Sequence, residues 1–136
     1  MGTVASTLEA FQLMLEGISP AWATKKIGFP WQANPNTAYQ RGTMILGKPD
    51  TVAFGDGAYT RKRGIYQIDL YSPRKDQAGP LILRGESIKA LVFPNGRPTV
   101  YGAGVVDKEP FVEGQPREGD PGFLELRVEV YFYIDG

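Results

Sequence analysis

The stretch Gly64-Ile65-Tyr66-Gln67-Ile68-Asp69-Leu70-Tyr71-Ser72-Pro73 decides how the rest of the chain must be arranged. Its aliphatic and aromatic residues suit a pleated surface, with Gly64 opening the run and Pro73 closing it, so it reads as a strand at the centre of the fold. Side chains along a strand alternate between faces. Tyr66, Ile68 and Leu70 share one face, which reads as core. Ile65, Gln67, Asp69 and Tyr71 share the other, which reads as a half-polar surface turned to water or to another chain.

Working outward towards the amino terminus, residues 39–46 form a second strand, and Gly55-Asp56-Gly57 is a turn signal between the two. Counting ten residues either way from Asp56 reaches Leu46 and Tyr66, so the runs pair as a long hairpin whose tip, residues 47–63, projects beyond the sheet. Lys48, Arg61, Lys62 and Arg63 make that tip basic, either as a solvated hairpin end or as a contact arm. Further back, Trp22, Phe29, Pro30, Trp31 and Pro35 describe an edge strand or ordered arm, since each proline removes a ladder donor. A Trp over its own core is commoner than a Trp held out for a partner. Val4, Leu8, Phe11, Leu15 and Ile18 fall on one stripe of a helix over residues 4–16, capped by Thr3 and stopped by Gly17 and Pro20.

In the other direction, Pro80 suits the first turn of a helix reaching about Phe93, with Leu81, Ile88, Leu91 and Val92 as its buried stripe. Gly85 inside it costs about 1 kcal/mol relative to Ala, tolerable where it lets the helix lie close on a sheet. Pro94-Asn95-Gly96 ends that helix, and a strand follows over residues 99–106. The last strand, residues 123–134, places Leu124, Leu126, Val128, Val130, Phe132 and Ile134 on one face and Glu125, Arg127, Glu129, Tyr131 and Tyr133 on the other. Glu125 and Glu129 with Arg127 between them read as a charge ladder more readily than as an acid/base pair. Residues 107–122, rich in proline, glycine and acids, read as one long acidic loop.

At 136 residues the chain fits one domain, residues 1–136, of the α+β class: an antiparallel or mixed sheet of four to five strands, two helices and a long projecting hairpin. Fifteen basic and fifteen acidic residues cancel, against a protein that holds nucleic acid by counterion release. The split is uneven, with twelve Lys/Arg and seven Asp/Glu in residues 1–106 but three and eight in residues 107–136, so one part of the molecule is suited to attract a different part of a second copy. There is no Cys and no His, which removes disulfides, thiolate or imidazole zinc sites and Ser-His-Asp or Cys-His nucleophiles. A small carboxylate-dependent hydrolase is disfavoured, and the expectation is no enzyme, no cofactor and no metal. The acids at Asp50, Asp56, Asp107, Glu109, Glu113 and Asp120 lack calcium-loop spacing, and Gly102-Ala103-Gly104 lacks the third glycine of a dinucleotide fingerprint. Arg61-Lys62-Arg63 is too short for a nucleic-acid patch by itself. No apolar run approaches bilayer length and no secretory leader is evident, so the chain reads as cytosolic when made; the Gly2 and Ser6 match to a myristoylation pattern specifies only two positions.

Tyr39-Gln40-Arg41, Gly55-Asp56-Gly57, Gly64 with Gln67-Ile68-Asp69-Leu70-Tyr71 and Pro73, Leu91-Val92-Phe93 and residues 128–133 stand in an order and spacing that resembles the small tail terminator proteins of long-tailed bacteriophages. In particular, they resemble a group sharing a phage-related domain of unknown function. The resemblance implies a mixed α/β protein with two helices on one sheet face, about six copies of which form a ring on the completed tail tube. Such a ring stops further addition of the major tail tube protein and offers a surface to the head-completion or connector protein, with DNA only passing through its lumen. The implied location is the virion tail or neck, reached from the host cytoplasm during assembly. The family has no catalytic residue to carry over. An alternative is a neck or head–tail joining protein without terminator activity. Charge, separately from the resemblance, suggests the two halves of a ring interface: Lys48, Arg61, Lys62 and Arg63 on one side, Asp107, Glu109, Glu113 and Glu118 on the other.

Overall fold

The computed structural model describes residues 3–25, 36–51, 59–119 and 121–136. The elements run α1 (Thr3–Glu16), β1 (Ala23–Lys25), β2 (Tyr39–Leu46), β3 (Asp50–Thr51), β4 (Thr60–Pro73), α2 (Gly79–Val92), β5 (Thr99–Tyr101), β6 (Gly104–Val106), β7 (Phe111–Val112), β8 (Arg117–Glu118) and β9 (Phe123–Asp135), with single 3-10 turns at Arg74–Asp76 and Pro94–Gly96. Nine strands among the described residues replace the expected four to five, and β1 against β2 is the parallel pair in an otherwise antiparallel sheet of order β1-β2-β4-β9-β6-β5. The expected Gly-Asp-Gly turn, the Phe29 to Pro35 part of the arm and the cap by the Thr3 side chain lie outside the described residues and side chains.

β4 is central, as its composition requires. It pairs with β9 without a break from Arg61↔Asp135 to Pro73↔Phe123, and on its other edge with β2 and β3. Tyr66, Ile68 and Leu70 lie beside Val130, Val128 and Leu126 on one face, and both helices cover that face. α1 contributes Phe11, Leu15 and, just beyond it, Ile18, and α2 contributes Leu81, Ile88 and Val92, all buried. The Phe11 ring stacks on Tyr66 at 4.7 Å between centroids and on Tyr101 at 4.8 Å. Leu91, expected in the buried stripe of α2, points outward; Arg84 and Gly85 are buried instead. The reason is close approach: a Cβ on Gly85 would lie 3.0 Å from Val112 Cγ1 and 3.1 Å from Leu126 Cδ2, so the helix sits on the sheet at the glycine. Gly17 ends α1 by donating its N–H to Leu13 O at 3.0 Å, without the left-handed backbone that the glycine allows.

Three expectations about strands are corrected. Residues 99–106 are not one strand but the β5–β6 hairpin, turned through Gly102 at φ +59°. Leu46 faces Gly64 rather than Tyr66. The supposed acidic loop is a broken edge strand: β6, β7 and β8 succeed one another along the outer edge of β9. Five residues separate the paired Val105 and Phe111 where three separate Tyr133 and Glu129, and four separate Val112 and Arg117 where two separate Val128 and Glu125. Each interruption thus inserts two residues, one full strand period, and the alternation of faces survives it.

Candidate functional site

The face of the sheet opposite the helices carries the polar chemistry. Neighbouring strands bring residues of one parity into rows: Arg41, Asp69 and Arg127 in one, Thr43, Gln67, Glu129 and Phe111 in the next, Ile45, Ile65 and Tyr131 in a third. Asp69 is 1% exposed, although its face was expected to be half-polar and turned to water or to another chain. Its Oδ2 accepts from Arg41 Nη2 at 3.0 Å and its Oδ1 from Arg127 Nε at 3.0 Å, while Gln67 Nε2 donates to Oδ2 at 3.3 Å. Burial pushes the carboxyl up, but the hydrogen bonds from Arg127 and Arg41 outweigh it and leave its pKa below the ordinary 3.8. Tyr71 is buried too, stacked on Tyr39 at 4.4 Å, with Phe123 edge-on to Tyr39 at 5.2 Å. Arg127 is therefore committed to Asp69, and the expected ladder with Glu125 and Glu129 does not form; Glu125 is held by Arg117 Nε at 2.7 Å.

The basic residues of the hairpin do not project as expected, because β9 continues beside them. Arg61, Lys62 and Arg63 are paired in the ladder with Asp135, Ile134 and Tyr133. Arg61 makes a two-pronged contact to Asp135, Nε to Oδ1 at 2.7 Å and Nη2 to Oδ2 at 3.0 Å, and its guanidinium lies 3.8 Å from the centroid of the Tyr133 ring. The hydrogen bond to Asp135 raises the Arg61 pKa and depresses that of Asp135. Lys48 and Arg63 are exposed and Lys62 is half-exposed; none of the three makes an ion pair among the described residues.

The acidic residues are mostly neutralised within the chain. Glu109 meets Lys89 at 3.0 Å, Glu113 pairs with Arg117 and accepts the Arg127 N–H at 2.7 Å, and Glu118 pairs with Arg74. Asp107 is exposed and makes no ion pair among the described residues. Asp107 and Arg63 line a single cleft of about 370 Å³ on one molecule, together with Ile45, Leu46, Ile65, Lys108 and Tyr131. Of the eight charged residues singled out from sequence, Arg63 and Asp107 are thus brought to one place, while the others are spread over the hairpin, the β9 edge and the α2 side.

Sequence reasoning missed a surface of another kind. Leu83 is 71% exposed on the outer side of α2, Ile82 and Leu91 are exposed on its two flanks, and Leu13 is exposed on α1. Ile45, Leu46 and Phe111 are exposed on the sheet, Phe111 at 51% and on the face opposite the helices. The apolar positions of α2 exceed what one buried stripe uses, and that surplus is the signal by which the helix patch was detectable. No group of three or more acidic side chains converges to hold a metal ion among the described residues, and no helix there is long and apolar enough to cross a membrane.

No family model matches the chain, and no curated protein is similar to it. A solved structure, of a protein known by a serial designation that states no activity, is similar at 19% identity with a TM-score of 0.67, over 96% of this chain and 92% of that one. At that identity the likeness concerns the fold alone, an α+β domain with two helices on a large mixed sheet.

Proposed function

We propose that the chain is a structural assembly subunit that closes into a ring, acting as the tail terminator of a long-tailed bacteriophage, where it caps the tail tube and joins it to the head connector. The observation that carries this reading is the exposure of large apolar side chains on both layers of the molecule, Leu83 with Ile82 and Leu91 on α2, and Ile45 and Phe111 on the sheet face away from the helices. A ring needs a heterologous interface in which one patch meets a different patch on the next copy, and the two must lie on different sides of the subunit. The charge-only pairing of hairpin and acidic strand fits that requirement less well, because most of those acids already have partners in the same chain. The resemblance in the order of short motifs from Tyr39 to the end of β9 supports a tail terminator among ring-forming proteins.

Negative-stain microscopy and light scattering test the ring, with about six copies expected either in solution or on added tail tubes. A virus lacking the protein is expected to make tails of uncontrolled length. Normal tails that merely fail to join heads would move the assignment to a joining protein, and a monomer both alone and with tail tubes would remove the ring.

A further inference from the structure

The cleft between α2 and residues 19–22 contains a buried cation without a counter-charge among the described residues. Arg84 is 4% exposed, yet its partners among the described residues are neutral: Nη1 donates to Pro20 O and Nη2 to Gln40 Oε1 at 3.0 Å, while Nε has no acceptor there. A guanidinium has five N–H donors, and two are engaged among the described residues. No carboxylate pairs with it among the described residues, and burial depresses its pKa. The Trp22 ring, 4.8 Å from the guanidinium carbon, offsets part of the cost of burying a charge, but a ring face is a weaker partner than an anion. Gln40 is itself fully committed, with Nε2 donated to Leu15 O at 3.0 Å and Thr24 Oγ1 at 3.1 Å, so the guanidinium is held rigidly in place.

Arg84 forms one wall of a cleft of about 280 Å³, lined also, among the described residues, by Ser19, Pro20, Trp22, Pro80, Leu83 and Ser87. Trp22, the two prolines and Leu83 make it predominantly apolar. Among the described residues Arg84 is the one cation that lines it, so there a single negative charge is matched and a double one is not. The volume suits a group the size of one aromatic ring with its acid.

We infer that this cleft binds a carboxylate carried on a small apolar body, with the Arg84 guanidinium as the anion partner and Trp22, Pro20, Pro80 and Leu83 as the apolar wall. Arginine suits the task because its rigid fork matches a carboxylate and its charge persists when buried. The inference stands on this cleft and does not depend on ring formation.

The test is a fluorescence titration in a Trp31→Phe background, which leaves Trp22 as the sole tryptophan of the two in the chain. The probes are sodium benzoate, neutral benzamide and inorganic phosphate at constant ionic strength. Benzoate is expected to give a saturable change at least about tenfold tighter than benzamide or phosphate. Ser87→Phe fills the cleft without touching the Arg84 hydrogen bonds and is expected to abolish the response; Arg84→Met should do the same, and if that variant fails to fold, Ser87→Phe decides. Equal response to benzoate and benzamide, equal response to phosphate, an undiminished response in Ser87→Phe, or no saturation by benzoate would each overturn the inference. Light scattering on the same samples identifies the natural source when benzoate binds: a fall in oligomer mass means that benzoate displaces an acid side chain of a second copy, and an unchanged mass means a free carboxylate.

Discussion

Asp69 accepts from Arg127 Nε at 3.0 Å across the β4–β9 pair, and this contact, with Arg41 on the other side, ties the three longest strands together through one buried carboxylate. Asp69→Asn keeps the shape and removes the charge between two guanidinium groups. The expected loss is about 2 kcal/mol in urea denaturation at pH 7, less than for a fully buried pair because both arginines stay about a third exposed.

The same carboxyl makes stability depend on pH. Its pKa in the folded chain lies below the unfolded value of 3.8, so its contribution is complete above that value and is lost as pH falls through the lower, folded one. The difference between wild type and Asp69→Asn should hold from about pH 8 to pH 5 and close below about pH 4. A constant difference down to pH 2.5 would show that the charge is not what Asp69 contributes.

Tyr66 lies over Gly42, where an added Cβ would come within 1.9 Å of the Tyr66 hydroxyl oxygen and 2.4 Å of Cζ. Gly42→Ala therefore has to push the ring out of its stack on Phe11, and about 2–3 kcal/mol of destabilisation is expected. The Tyr66 hydroxyl is buried without a hydrogen-bond partner among the described residues, and burial raises its pKa far above the ordinary tyrosine value. Tyr66→Phe should thus be neutral or stabilising by up to about 1 kcal/mol, read from the thermal or urea midpoint.

Gln40→Leu removes the group that accepts from Arg84 and donates to Leu15 O and Thr24 Oγ1. Several polar atoms lose their partners at once in the buried layer between α1, β2 and α2, and about 2–4 kcal/mol of destabilisation is expected by urea denaturation. Retention of wild-type stability would mean that these bonds are replaced by water.

Hydrogen exchange should separate the two edges of β9. Its amides pair with β4 without interruption on one side and with three short segments on the other, broken at residues 106–110 and 114–116. Amides at the centre of β4 and in β9 facing β4 are expected to exchange slowest, by the global route, and those of β7 and β8 faster through local opening. Uniform protection across β7, β8 and β9 would contradict this.

Replacing Leu83 and Leu91 by Asp tests the helix side of the proposed ring interface. Both residues are exposed on α2, so folding measured by circular dichroism should be unchanged, while the mass by light scattering should fall to that of a monomer. An intact ring would place the interface elsewhere.

What was legible in the sequence was whatever depends on local period. The helices at residues 4–16 and 80–93, the central strand and the inward set of β9 from Leu126 to Ile134 follow from spacings of 3.6 and 2, because burial of one face is what those spacings record. The 107–122 stretch was not legible: β7 and β8 are two residues each, and proline and glycine between them carry no strand pattern without the β9 edge to pair with. Nor could residue type alone show the destinations of charge, since Arg127 prefers Asp69 on the next strand to the glutamates flanking it, and Arg61 prefers Asp135 from the far end of the chain to anything in its own hairpin.

The strand at Gly64 to Pro73 shows the division most clearly. Sequence by itself determined that it is central and that Tyr66, Ile68 and Leu70 form the core face, because alternation and hydrophobicity are properties of the segment. Only the tertiary structure decided that Asp69 and Tyr71, on the face expected to be half-polar and turned to water or another chain, are buried within this one, and that Arg84 carries its charge into the interior. Burial and ion pairing depend on neighbours brought together from distant parts of the chain, and no local pattern encodes which neighbours those are.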